Sequence, residues 1–160
     1  MRTRGFVLLC VVTALTLGGC SERVVATAND TVLIIAEDID RTAAIPTASL
    51  HYLLATPMPI SDEAEDAQNL VRSMRYEAVF DCARRAWGSR VHELTMADGR
   101  VTATRTPEPR YEPFAKGSTG ELAFLAVCDP AFATAHSTRR PRRSIEKDYL
   151  GRTGQGRPGD

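Results

Sequence analysis

Between Val71 and Arg85 the chain reads VRSMRYEAVFDCARR, and its hydrophobicity alternates. Met74, Tyr76, Ala78, Phe80 and Cys82 take every second position, while Ser73, Arg75, Glu77 and Asp81 fill most of the others. A period of two describes a half-buried antiparallel strand. It fixes a sheet, says which face of it is buried, and puts Cys82 on that face. No other stretch constrains the fold as much.

Other segments extend the sheet. TVLIIAE (31–37) is β-branched and apolar and reads as a first strand. EDID follows, where Asp38 and Asp40 mark a turn. ASLHYLLAT reads as a second strand, ended by the prolines of TPMPI. SDEAEDAQN (61–69) is acidic and polar, a solvated loop in preference to one helical turn. After the alternating strand, SRVHELTM, an ADGR turn and VTATRT make a hairpin, because Asp98-Gly99 tolerates positive φ. Gly88 is a bulge or a break between the two long strands.

A Pro-punctuated loop, PEPRYEPFAKG, leads into STGELAFLAVC, where Ser118 and Glu121 stand at capping-box spacing. This predicts a short helix over 119–128, apolar on most sides and buried against the sheet, with a strand as the alternative. Asp129-Pro130 ends it. Beyond, TAHSTRRPRRSIEKDYLGRTGQGRPGD is rich in Arg, Gly and Pro, and residues 131–160 read as a basic, largely disordered tail.

The N-terminus carries an address. MRTR is cationic, and the apolar run GFVLLCVVTALTL is shorter than the roughly 20 residues of a spanning helix. Leu17-Gly18-Gly19-Cys20 resembles the lipobox of bacterial lipoproteins, which makes residues 1–19 a signal peptide and Cys20 the lipidated mature N-terminus. The competing readings are an ordinary secretory signal cut near Gly19 and an uncleaved anchor. Ser21 follows, and in Gram-negative envelopes a residue other than Asp there implies sorting to the outer membrane. Residues 20–29 then form a short tether and 30–130 the domain.

The four cysteines agree with this address. Cys10 leaves with the signal and Cys20 is taken by lipid, so Cys82 and Cys128 remain as an even pair in an oxidising compartment. A bridge between them needs the helix to pack across the sheet. It would close a loop of about 46 residues and contribute about 4 kcal/mol, a large share of the stability of a core with only 6% aromatic residues. Two free thiols or a metal site are the rival readings, although no Cys or His stands at ligand spacing near either cysteine.

FDCARR, then ADGR, then an aromatic-x-Pro segment leading through GSTGELAFLAVC resembles the surface-adhesin protein E family of bacterial envelope lipoproteins. The resemblance is strongest over 76–128, weaker back to Thr31, and stops before the basic tail. Cys82 and Cys128 match the family's paired cysteines, Gly99 its hairpin glycine and Gly117-Ser118 its pre-helix turn. Tyr111 stands where Trp is common and Lys116 where Pro is common. The resemblance implies an α+β fold: a single antiparallel sheet with a short C-terminal helix packed on its concave face and tethered by a disulfide. It implies adhesion to host matrix and plasma proteins, with no binding residues that transfer.

Charge and motif point away from several other classes. Lys+Arg and Asp+Glu both number 20, so no global field steers the chain toward nucleic acid. His51 and His92 fall in strands and His136 in the tail, each alone and structural in preference to ligating. EDID is too short a match to a DxD metal motif to weigh against a turn. Neither a nucleophilic constellation nor a phosphate loop is readable, so an enzyme is not expected. RRPRR supplies Arg139, Arg140, Arg142 and Arg143, a candidate arm for anionic envelope polymers against a plain solvated tail. The expectation is an outer-membrane lipoprotein acting as a non-catalytic binding or adhesion module. The alternative is an envelope-maintenance protein whose tail contacts anionic polymers. Expected partners are the membrane, through the lipid, and a protein or glycan ligand, with a homodimer admitted. Nucleic acid is not among them, and no cofactor is expected.

Overall fold

The computed structural model describes residues 22–59 and 69–154. Cys10, Cys20 and residues 61–68 of the acidic stretch lie outside them. The chain forms strands β1 (Arg23–Ala28), β2 (Val32–Asp40), β3 (Thr47–Pro59), β4 (Leu70–Asp81), β5 (Ala86–Met96), β6 (Val101–Arg105) and β7 (Glu112–Pro113). Helices α1 (Thr119–Cys128) and α2 (Pro130–Ala135), the short strand β8 (Ser137–Thr138) and helix α3 (Arg142–Arg152) follow. All pairings are antiparallel, and the 8-stranded sheet runs β6-β5-β4-β3-β2-β1-β8, with β7 beside the start of β5. It is a meander closed at one edge by the returning C-terminal segment.

The alternation of β4 is realised as expected. Met74, Tyr76, Ala78 and Phe80 face a core completed by Val24, Ile34, Ala36, Ala48, Leu50 and Tyr52 from the neighbouring strands. Helix α1 lays Ala123, Phe124, Ala126 and Val127 on that face. Its N-terminus is set by Ser118, whose hydroxyl accepts from the Glu121 N–H at 3.2 Å. Glu121 reaches back to accept from the Gly117 N–H, at 2.6 Å, just before the N-cap, so the two side chains tie the entry of the chain to the first turn. Cys82 and Cys128 are joined by a disulfide, with Cα atoms 5.6 Å apart. The α+β plan of sheet, packed helix and tether is therefore present.

Several local expectations are corrected. The tether includes β1, because Val24 and Ala26 are apolar at period two and pair along β2. Pro57 does not end β3, which runs on to Pro59: its register breaks between Leu53 and Met58, so Pro57 falls where the ladder is already interrupted. Gly88 lies inside β5, opposite Val79, and is neither bulge nor break. A Cβ there would stand 2.8 Å from the Arg110 carbonyl oxygen and 3.0 Å from Pro109 Cβ, so the 106–111 loop can cross β5 only over a glycine. EDID is not a turn but the end of β2, irregular between Glu37 and Asp40 where Asp38 has φ 52°; the turn follows it, with Asp40 accepting from the Thr42 and Ala43 amides.

The basic tail is the main correction. Asp129 ends α1 and at once caps α2, accepting from the Ala131 and Phe132 amides. Strand β8 then pairs with β1, and α3 crosses the sheet face opposite α1. Ile145 and Tyr149, one turn apart, join Leu33, Ile35 and Ala55 in a second core, with Val25, Leu53 and Leu150 packed around it. Composition averaged over 131–160 hides this narrow stripe among arginines and glycines. Three apolar side chains at helical spacing suffice to dock one short helix.

Candidate functional site

The α3 face of the sheet is covered over β1–β3 and open over β4–β6. One rung of the ladder runs Ile35, His51, Arg75, Glu93 across four strands, and the next runs Leu53, Ser73, Thr95. Side chains of one rung share a face, so apolar groups under α3 give way to polar groups beside it. Arg142 and Glu146 of α3 form the other wall. The result is a groove of about 240 Å³ that presents two guanidinium groups, two carboxylates and two hydroxyls.

At the covered end of the groove Glu37 is only 8% exposed. It occupies the position after Leu33 and Ile35 on the α3 face of β2. Its Oε2 accepts from Arg23 Nε at 2.8 Å, and its Oε1 accepts from an Arg142 guanidinium nitrogen at 2.8 Å. His51 Nε2 stands 3.0 Å from the same Oε1. Burial alone would raise the Glu37 carboxyl, but the Arg23 hydrogen bond and the cationic charge around it hold it below the ordinary carboxylate range. Burial, together with the Arg142 charge, pushes His51 down to about 4. The ring is thus neutral at pH 7. Nε2 stands 3.0 Å from both Glu37 Oε1 and an Arg142 guanidinium nitrogen, and Nδ1 is 3.4 Å from that nitrogen, so the tautomer sets whether Nε2 donates to Glu37 or accepts from Arg142. The ring nitrogens are occupied in orienting Arg142. The groove is built to present charge at fixed positions.

The four arginines of the basic motif do not act as one patch. Arg142 turns inward to Glu37 and also meets Glu146 at 3.3 Å. Arg140, just before α3, is bound to Ser144 and Asp148 of that helix. Arg139 and Arg143 are exposed. Of the other singled-out residues, His92 stacks on Tyr76 with ring centres 4.6 Å apart, and His136 stacks on Phe132 at 4.0 Å. Neither comes near His51's network.

Two residues escaped sequence reasoning. Glu37 ends the apolar run of β2, in register with Arg23 on β1, and a charge at the end of such a run was the available signal. Arg41 gives no such signal. From the loop after β2, its Nε and a terminal guanidinium nitrogen donate to the Val127 and Ala126 carbonyls, both at 2.8 Å, capping the C-terminus of α1. At the other end of that helix Arg85 pairs with Glu121 at 2.7 Å and lies over the rings of Phe114 and Phe124. Together with the disulfide these contacts fix α1 at both ends, which makes the sheet a rigid platform for the groove behind it. No protein-family model, no curated protein and no solved structure matches this chain.

Proposed function

We propose that the chain is an outer-membrane lipoprotein, anchored through Cys20, whose domain is a non-catalytic binding module of the adhesion type. The observation that carries the reading is the open rung of charge on the α3 face. Ser73, Arg75, Glu93 and Thr95 are held on a rigid sheet beside an ion-paired helix, an arrangement suited to a polar protein or glycan surface. The lipobox supports the address, and the sheet, disulfide and helix agree with the plan implied by the resemblance over 76–128. Labelling with radioactive palmitate, lost in Cys20→Ser, tests the anchor. Binding of intact cells to immobilised matrix and plasma proteins, compared with Arg75→Glu/Glu93→Arg, tests the module. Binding unchanged by that double charge reversal would remove the groove from the proposal.

The envelope-maintenance reading is favoured by one observation: Arg139 and Arg143 point outward while their neighbours are tied down. Protease treatment of intact cells separates the two readings, since only a surface-exposed module is shaved.

A further inference from the structure

The two edges of the sheet are treated differently. At one edge β8 pairs with β1, and the His136 carbonyl accepts from the Val25 N–H at 3.0 Å. At the other, all five residues of β6 are exposed, and among the described residues nothing pairs with its outer side. Val101 at its start is 57% exposed. Natural edges are commonly blunted by lysine, proline or a bulge. VTATR holds none of these, and its register with β5 is unbroken.

The hydrogen-bond parity of this edge can be counted. Met96 donates to the Arg100 carbonyl and Thr106 to the Arg90 carbonyl, both at 2.8 Å. In an antiparallel ladder every second pair is hydrogen-bonded, so Thr102 and Thr104 direct their backbone groups to β5. Val101, Ala103 and Arg105 therefore direct theirs outward.

We propose that β6 pairs antiparallel with β6 of a second copy of this chain, with Ala103 opposite its own symmetry mate on a two-fold axis. The sequence is self-complementary in that register. Val101 meets Arg105, Ala103 meets Ala103 and Arg105 meets Val101, and these three pairs exchange about six backbone hydrogen bonds. Thr102 and Thr104 become cross-strand partners, a favourable combination. Arg105 never faces Arg105, so the like-charge pairing that would forbid a symmetric edge does not arise. The two meanders would join into one continuous sheet. Strand pairing alone makes a small interface, so the dimer is concentration-dependent. The inference does not rest on the binding reading above.

Cysteine cross-linking of the full-length protein in detergent tests the register, with wild type as the background for its other thiols. Two copies of Ala103→Cys would lie directly opposite, at a Cα separation of about 5.5 Å that suits a disulfide. Mild oxidation is expected to convert most of this variant to dimer. Thr102→Cys mixed with Thr104→Cys should cross-link, and Thr102→Cys alone should stay at background. Ala103→Pro removes an outward N–H without touching the β5 ladder, so sedimentation should show a monomer where wild type associates. Cross-linking of Ala103→Cys no greater than wild type would overturn the proposal. So would equal cross-linking at Thr102 alone, which would report random collision.

Discussion

Strands β2 and β4 lie one strand apart in the same sheet and are written in different codes. In β4 apolar and polar residues alternate over 73–78, with the α1 face in the core, and Val79 near its end is buried on the other face. In β2, Leu33, Ile34, Ile35 and Ala36 are apolar without a break, and all four are buried. Ile34 and Ala36 meet α1, while Leu33 and Ile35 meet α3. An unbroken apolar run is what a strand covered on both sides must have, and an alternating one is what a half-open strand can tolerate. The groove sits where the second code takes over from the first. The two faces are also secured differently. Helix α1 is held by a disulfide, two arginines and a broad apolar contact, whereas α3 is held by three apolar side chains and one buried carboxylate.

The largest test of that contrast removes the covalent tie. Cys82→Ser with Cys128→Ser opens a loop spanning 46 residues and should cost about 4 kcal/mol, read as a lowered urea midpoint. Hydrogen exchange should then quicken in α1 more than in α3. A loss spread evenly over both helices would mean that the faces are not independently secured.

Glu37→Ala attacks the other face. It removes the buried carboxylate from Arg23 and Arg142, which keep the Arg140 carbonyl and Glu146, and because Arg142 is also partly wet the cost should be about 2 kcal/mol, below that of breaking a fully buried pair. Here exchange should quicken in α3 and leave α1 unchanged. Smaller again is Arg41→Gln, which exposes the α1 carbonyls of Ala126 and Val127 and should cost about 1.5 kcal/mol. A thermal melt indistinguishable from wild type would make the Arg41 cap an ornament.

These contrasts also explain what could be read from the residues. Helix α1 was legible to its ends because Ser118, Glu121 and Asp129 are local signals that act within one turn. The pairing of Cys82 with Cys128 followed from strand parity and cysteine count. Helix α3 was not legible, because Ile145, Tyr149 and Leu150 stand among arginines and their burial depends on a sheet more than a hundred residues earlier. The signal lay elsewhere, in the unbroken VLIIA of β2, which requires a cover on its second face as well. Arg41 was invisible for the same reason: its partners are backbone carbonyls 85 and 86 residues away.

Acid should separate the two faces most finely. The His51 pKa is depressed in the fold from 6.5 to about 4, so between those values the unfolded chain binds the proton and the folded chain does not. Stability conferred by the neutral ring is therefore present above pH 6.5 and falls as the pH drops toward 4. The ring is partly wet, so the effect should be about 1 kcal/mol, well under the full value of the shift. Glu37, held low by its arginines, works in the same sense at still lower pH: its contribution is lost when it takes up a proton. His92 is also lowered, by burial, and adds a slope of the same sign from the α1 side of the sheet. The urea midpoint should fall from pH 7 to pH 5, with exchange quickening in α3 first. His51→Gln should remove that α3 response while His92→Gln preserves it, since Arg75, Arg142 and Glu37 surround only the first ring. If His51→Gln leaves the pH dependence of α3 exchange intact, the ion-paired face is not the acid-labile one, and the asymmetry between the two covers is mechanical alone.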